Sequence, residues 1–348
     1  MHVTIAVTGL NSADNPAPGL AVARCLRKMF PEIRVVGLGY DALDTGIHSR
    51  GLLNEAFLLP YPSEGELALM QRLEEVHRRT PLDLILPTLD SELMAFCSLS
   101  RRLNEMGIAT LLPRPEVLAL RSKANLARFC EEHDLPHPET EVAFSVEALP
   151  GAVQKLGLPI VVKGLFHGAV LAHSLEEARV RFREIERQWG SPVVLQRHYA
   201  GEEYDVVAAA DRQGDSLGMV AMRKLRVTPK GTAWAGVSVC HPRLLELTEK
   251  ALKDLSWVGP LEFEFLLSEK DNTFRLIEIN PRFPSWVYLA AACGLNLPAR
   301  VAEVALGVEP EPAGNYQTGL TFVRHSVDVV CPLQNLESLT MKGELLTP

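Results

Sequence analysis

The stretch RLIEINPRFP, residues 275–284, alternates acid, amide and guanidinium with isoleucine. Residues two apart on a strand share one face. Glu278, Asn280 and, one step on, Arg282 therefore point one way, and Ile277 and Ile279 the other. A second acid, Glu264, lies upstream in LEFEFLLSEKDNTFRLIEIN, residues 261–280. That run reads as a hairpin turning at Lys270-Asp271-Asn272, which sets Glu264 almost opposite Glu278. Two carboxylates facing each other across neighbouring strands repel, so a positive group must offset them. Two carboxylates and an amide form an all-oxygen ligand set, suited to Mg²⁺ or Mn²⁺. Arg282 suits a phosphate or carboxylate anion. A solvated sheet face is the bland alternative. The four residues together, with isoleucine behind them, favour the metal.

Other residues could supply positive charge. Lys163 ends the apolar run LPIVVKG. A lysine there is costly unless it meets an anion, or snorkels out from an edge strand. In MRKLRV, residues 222–227, period-two spacing gives Lys224 and Arg226 one face and Arg223 the other.

These side chains need a scaffold. VTIAVTGL (3–10), IRVVGLGY (33–40), LDLILPTLD (82–90) and IATLLP (108–113) read as strands, alternating with helical stretches at 19–30, 63–79 and 91–106. That alternation predicts a parallel sheet with helices on its faces. From Pro113 the pattern changes: helices joined near Ser122 over 115–135, a strand–turn–strand over 158–174, a charged helix over 174–189, antiparallel strands over 192–210 and 217–228, and a helix over 243–256 before the hairpin. Helices are expected over 284–294 and 296–307, and a strand over LTFVRHSVDVV in the tail. The predicted class is thus α/β and α+β, a parallel N-terminal domain followed by antiparallel sheets. Expected boundaries are 1–112, 113–190, 191–309 and a tail, 310–348, packing on the core.

Composition excludes several functions. The chain has 348 residues and a net charge of −8, which argues against broad nucleic-acid affinity. The N-terminus lacks a basic region and a small-residue cleavage site, so no signal peptide is expected. No apolar run approaches the roughly 18 residues a membrane span needs. Six scattered cysteines form no CxxC pair, which fits reduced thiols in a cytoplasmic protein.

The combination LEFEFLL…LIEINPRF resembles the C-terminal core of the ATP-grasp superfamily, nearest to its carbamoyl-phosphate-synthase-like and biotin-carboxylase-like carboxylate-amine ligases. In that family an acid precedes E-[IMV]-N-x-R; here Glu264 precedes Glu278 by fourteen residues. The resemblance covers most of the chain and implies a pre-ATP-grasp domain followed by a two-lobed ATP-grasp fold. It implies ATP and Mg²⁺ as cofactors, with Glu264, Glu278 and Asn280 holding metal. Lys123, at a helix start in RSKANLARFCEEHDLPHPET, and Lys163 resemble the two nucleotide-contacting basic residues. Gly168 falls in the phosphate loop. QRHYAGEEYDV (196–206) resembles the hinge, which puts Gln196, His198 and Tyr199 at the adenine and Glu203 at the ribose, with Glu202 as its neighbour in register. Lys224, Arg226 and Arg282 are implied in catalysis. LPTLDSE (86–92) is similar to a strand edge where ligands sit, so Asp90 or Glu92 touches the second substrate or caps a helix. Trp286 and Tyr288 line a pocket or pack.

Two departures stand out. The phosphate loop, KGLFHGAVLAH, has only Gly164 and Gly168 and so few backbone donors; His167 is a candidate replacement. Arg197 stands where relatives often carry a glutamate, and it cannot accept from an adenine amino group. The implied reaction activates a carboxylate as an acyl phosphate for attack by an amine. The expected partners are a small-molecule carboxylate and amine, or a peptide, with neither nucleic acid nor membrane. The family also allows a homodimer. Three alternatives stay open: a bicarbonate-activating enzyme of the same fold, a non-catalytic nucleotide-binding module, and a dinucleotide oxidoreductase built on TGLNSADNPAPG, which is no GxGxxG. A full carbamoyl-phosphate synthase has a duplicated core, and this chain has one.

Overall fold

Three β-sheets organise the chain in the computed structural model, which describes residues 3–11, 16–49, 51–120, 122–165, 168–228 and 231–346. In the first sheet β1 (Thr4–Val7), β2 (Arg34–Gly39), β3 (Glu55–Leu58) and β4 (Leu84–Leu86) run parallel in the order β3-β2-β1-β4. Their continuous apolar runs follow from burial on both faces. Ile5 and Val7 pack with the helix Gly19–Met29 on one side. Ala6 and Val36 pack with the helices Glu66–Arg79 and Asp90–Glu105 on the other. The predicted parallel sheet is present, with two differences. β3 was not anticipated, because Glu-Ala-Phe-Leu is too short to show a period. The run 108–113 makes only one bridge, Ala109 to Leu84, in place of a strand.

The second sheet is antiparallel. It contains β5 (Thr140–Ala143), β6 (Ile160–Lys163), β7 (Ala169–Ala172) and β8 (Val193–Arg197) in the order β5-β8-β6-β7. Ile160, Val162 and Leu195 bury against Ala152, Leu156 and Phe182 of two covering helices. Lys163 therefore ends a strand whose preceding residues are committed to a small core.

The third sheet holds β9 (Gly201–Ala210), β10 (Ser216–Val227), β11 (Ala233–Val239), β12 (Gly259–Ser268), β13 (Phe274–Asn280) and β14 (Thr321–Val323), in the order β13-β12-β9-β10-β11-β14, all antiparallel. On β12, Leu261, Phe263 and Phe265 alternate with Glu262 and Glu264. The aromatic face packs on the helices Lys123–Glu132 and Pro242–Asp254 through Leu126, Phe129 and Leu247. Phe263 is fully buried, worth about 2–3 kcal/mol, and this fixes the acids to the opposite face. The expected tail strand over 320–330 is cut to three residues, because its partner β11 starts at Ala233 and the ladder runs out. The chain then returns to the first sheet, where β15 (Glu344–Leu345) pairs antiparallel with β3. The expected helix over 284–294 shortens to Tyr288–Ala292, between Pro284 and Gly294. Among the described residues no helix is long and apolar enough to cross a membrane.

Gly259, which opens β12, packs against the backbone of the 108–113 segment. Its φ is +87°, and a Cβ there would lie 2.3 Å from the Leu111 carbonyl oxygen. Gly259→Ala is expected to cost at least about 2 kcal/mol, from left-handed backbone and the clash together. Urea unfolding should show a lower midpoint at unchanged slope.

Candidate active site

β12 and β13 pair with Glu264 directly opposite Glu278, and Glu262 directly opposite Asn280. The hairpin thus delivers the predicted facing carboxylates. A bulge follows: Phe265 pairs with Leu276, which leaves Ile277 unpaired. This corrects the simple alternation. Ile279 enters the core beside Phe263, whereas Ile277 turns to the cleft and lines it with Lys123, Lys163 and Gln196. An extra residue in one strand breaks the period of two.

Cations surround the two acids. Lys123 begins its helix and reaches Glu278 Oε1 at 3.1 Å. Lys224 Nζ, on β10, lies 2.9 Å from Glu264, 3.0 Å from Glu203 and 3.2 Å from Asp205. Lys224 and Asp205 are almost wholly buried. Burial alone would lower the lysine pKa, but the three carboxylates hold it well above its ordinary value. Burial raises Asp205 well above the carboxylate range, and Lys224 only partly offsets this. Burial also raises Glu264, but Lys224 outweighs it, and the net shift is downward. Lys163 is 8% exposed. Burial brings its amine down to about 8, against the pull of Glu278.

Two further acids, Glu262 on β12 and Asp205 on β9, are missed by sequence reading. Glu262 Oε1 accepts from the Trp286 indole at 2.7 Å, and Oε2 accepts from Asn280 Nδ2 at 3.1 Å. Burial, with Glu264 beside it, pushes Glu262 up to about 7. Glu262 and Asp205 share the face of Glu264, and the alternation on β9 and β12 could have exposed both. Arg282 donates to Asp90 Oδ2 at 2.5 Å and stands 3.8 Å from Glu262. Arg324, from the tail just past β14, donates to Ser285 Oγ at 2.6 Å. Burial lowers its pKa, with Glu262 the opposing charge. Only folding brings the tail here, so no local signal marked Arg324.

Several expected residues sit elsewhere. Of the neighbouring pair, Glu203 faces the cleft, while Glu202 turns away to Arg223 and Tyr204. Arg223 thus takes the face opposite Lys224, as expected. A bulge between Lys224 and Arg226 interrupts their shared face, and Arg226 is exposed. Gln196 is buried in the cleft, bonded to Thr140. The His198 backbone N–H is taken by Pro159. Tyr199 donates to Glu139, with Arg275 4.0 Å above its ring. Arg197 also pairs with Glu139, so it leaves the cleft to Gln196. Gly168 takes φ +84° in the β6–β7 turn and accepts from the Gly164 N–H. His167 lies outside the described residues. Trp286 is buried and Tyr288 is 40% exposed.

Asp90 and Glu92 separate cleanly. Asp90 faces Arg282 across the domains. Glu92 is fully buried and accepts from the Thr8 hydroxyl, the Tyr40 phenol and the backbone N–H groups of Thr88 and Leu89. It ties together the ends of β1, β2 and β4, which leaves none of its oxygens for a substrate.

No family model matches the chain. It is similar to the carbamoyl phosphate synthase large chain of Caldanaerobacter subterraneus subsp. tengcongensis, 24% identical over 252 residues, which is 65% of this chain and 22% of that one. The chain therefore spans less than a quarter of that relative's length. Its fold is similar to Campylobacter jejuni biotin carboxylase, solved as a β,γ-ATP complex, with TM-score 0.71 and 15% identity over 88% of this chain and 72% of that one. It is also similar to an L-amino acid ligase from Bacillus licheniformis, with TM-score 0.66 and 19% identity over 88% and 74% of the two chains. The chain thus has the two-lobed ATP-grasp-like fold of these structures, and its sequence is similar to that of carbamoyl phosphate synthase large chains.

Removing the Glu92 carboxylate would orphan four donors. Glu92→Ala is expected to cost at least about 3 kcal/mol, read as a lower melting temperature.

Proposed function

We propose that the chain is an ATP-dependent ligase that activates a carboxylate as an acyl phosphate for attack by an amine. The observation that carries this reading is the pair Glu264 and Glu278, facing each other across strands, with Asn280 beside them and Lys123, Lys163 and Lys224 around them. A magnesium ion fits this set. The donors are hard oxygens, and the carboxylates of Asp90, Glu203, Asp205, Glu262, Glu264 and Glu278 outnumber the cations Lys123, Lys163, Lys224, Arg282 and Arg324. Burial is the main cause that raises Asp205 and Glu262, and the charge of Glu264 adds to both. Among the described residues no group of three or more His, Cys, Asp or Glu side chains could hold a metal ion by itself. The ion would complete its shell with phosphate oxygens and water.

Glu264, Glu278 and Asn280 would hold the metal, which neutralises phosphate charge when bound. Lys123 and Lys163 would orient the phosphates, and Lys224 would shift from its carboxylates toward the transferred group. Gln196 stands at the adenine end and Glu203 at the ribose. Arg282 and Arg324, at the junction with Asp90, would meet the acid to be activated. A carboxylate oxygen of that acid attacks the γ-phosphorus and ADP leaves. The amine then displaces phosphate from the acyl carbon and loses a proton. Such chemistry rests on positioning and electrostatics and needs no protein nucleophile.

ADP release from Mg²⁺-ATP, screened against a panel of carboxylic acids with and without amines, tests the proposal. Release should need an organic acid and should fall by about a hundred- to a thousandfold in Glu278→Ala, the scale of losing a key electrostatic group. Release with bicarbonate alone would instead assign the bicarbonate-activating reaction. A second expectation follows from Lys163. Its free amine loses charge as pH rises through about 8, while bound phosphate favours the charged form. ADP affinity should therefore fall above that pH, with proton uptake on binding, seen as a buffer-dependent calorimetric enthalpy. Lys163→Arg, which stays charged, should abolish the dependence.

A further inference from the structure

Asn280 is an amide among carboxylates, and its two ends are not equivalent. Nδ2 donates to Glu262 Oε2 at 3.1 Å and to Glu264 Oε1 at 2.9 Å. Both amino hydrogens are used, so Oδ1 is the end left for a cation. A flipped amide would set its oxygen against two carboxylate oxygens. Glu264 alone is a weak guide, because Lys224 shares it and a bound metal would draw on it as well. Glu262 is different. It pairs directly with Asn280 in register and is 5% exposed. Its other oxygen is fixed by the Trp286 indole N–H, and Trp286 is itself locked into the core beside Phe283 and Val287.

We propose that Glu262, pinned by Trp286, is a positioning residue that holds Asn280 with its carbonyl oxygen toward the metal. The inference rests on the reading above, in which Glu264, Glu278 and Asn280 take the cation. Partners behind a metal ligand fix its orientation in this way, and their loss typically weakens metal affinity about 10- to 100-fold. A residue that only balanced the charge of Arg282 would affect stability and leave metal affinity alone.

The test uses Mn²⁺ as the probe on the full chain with ADP present, counting free Mn²⁺ by electron paramagnetic resonance. Metal-free ADP affinity is measured in parallel. Glu262→Gln is expected to weaken Mn²⁺ binding about 10- to 100-fold with metal-free ADP affinity unchanged. Trp286→Phe should give a smaller loss in the same direction. In an Asn280→Ala background, Glu262→Gln should add no further loss, because the orienting contact is already gone. Unchanged Mn²⁺ affinity in Glu262→Gln, or an equal loss in the Asn280→Ala background, would overturn the proposal. If Glu262→Gln does not fold, Trp286→Phe reads the same contact, and unchanged Mn²⁺ affinity there overturns it. Wild-type protein that binds ADP but no Mn²⁺ would instead overturn the metal reading on which the proposal stands.

Discussion

Two carboxylates held face to face on adjacent strands set the terms for everything around them. Glu264 and Glu278 cannot move apart, because the aromatic side chains behind Glu264 are locked into the core. Their mutual repulsion must therefore be met by charge from elsewhere. The fold supplies it from three directions: Lys123 from a helix start, Lys224 from the neighbouring part of the same sheet, and Lys163 from the small sheet. Each lysine is held where burial would not permit it alone, and each is tolerated because the acids are present. The result is a cleft in which acids and lysines are held close together by their own ion pairs. Preorganisation of that kind is what makes electrostatics effective.

The same constraint orders the deeper part of the cleft. Arg282 continues the polar face of β13 and leaves the sheet to meet Asp90 of the N-terminal domain. Glu262 sits between Arg282, Asn280 and Trp286, so the amide, the guanidinium and the indole share one buried carboxylate. Arg324 arrives from the tail and rests on Ser285. Three separate stretches of chain therefore converge at this end of the cleft. Glu92, two residues from Asp90, does a different job. It closes the ends of three parallel strands, so that Asp90 is presented from a rigid edge.

Much of this was legible along the chain. The hairpin, its turn and the Glu264–Glu278 pairing follow from alternation and turn chemistry, both of which are local. So does the parallel N-terminal sheet. The strand β3 escaped detection, and β14 was expected too long, because each is short and takes its definition from a neighbour. Ile277 was assigned to the wrong face because one bulged residue shifts the period without leaving a mark in composition. The pairing of Arg226 with Lys224 on one face failed for the same reason on β10.

The sequence by itself determined the kinds of chemistry available. Oxygen ligands, lysines on apolar strands and an arginine past the last acid are properties of residue type and short spacing, and these survive translation into structure. The tertiary structure alone decided which charges meet. The contacts of Arg282 with Asp90, Glu262 with Trp286 and Arg324 with Ser285 join positions 192, 24 and 39 residues apart. No periodicity connects such positions. They come together because buried faces on different elements must be covered at once, and the polar groups carried with those faces then find their partners.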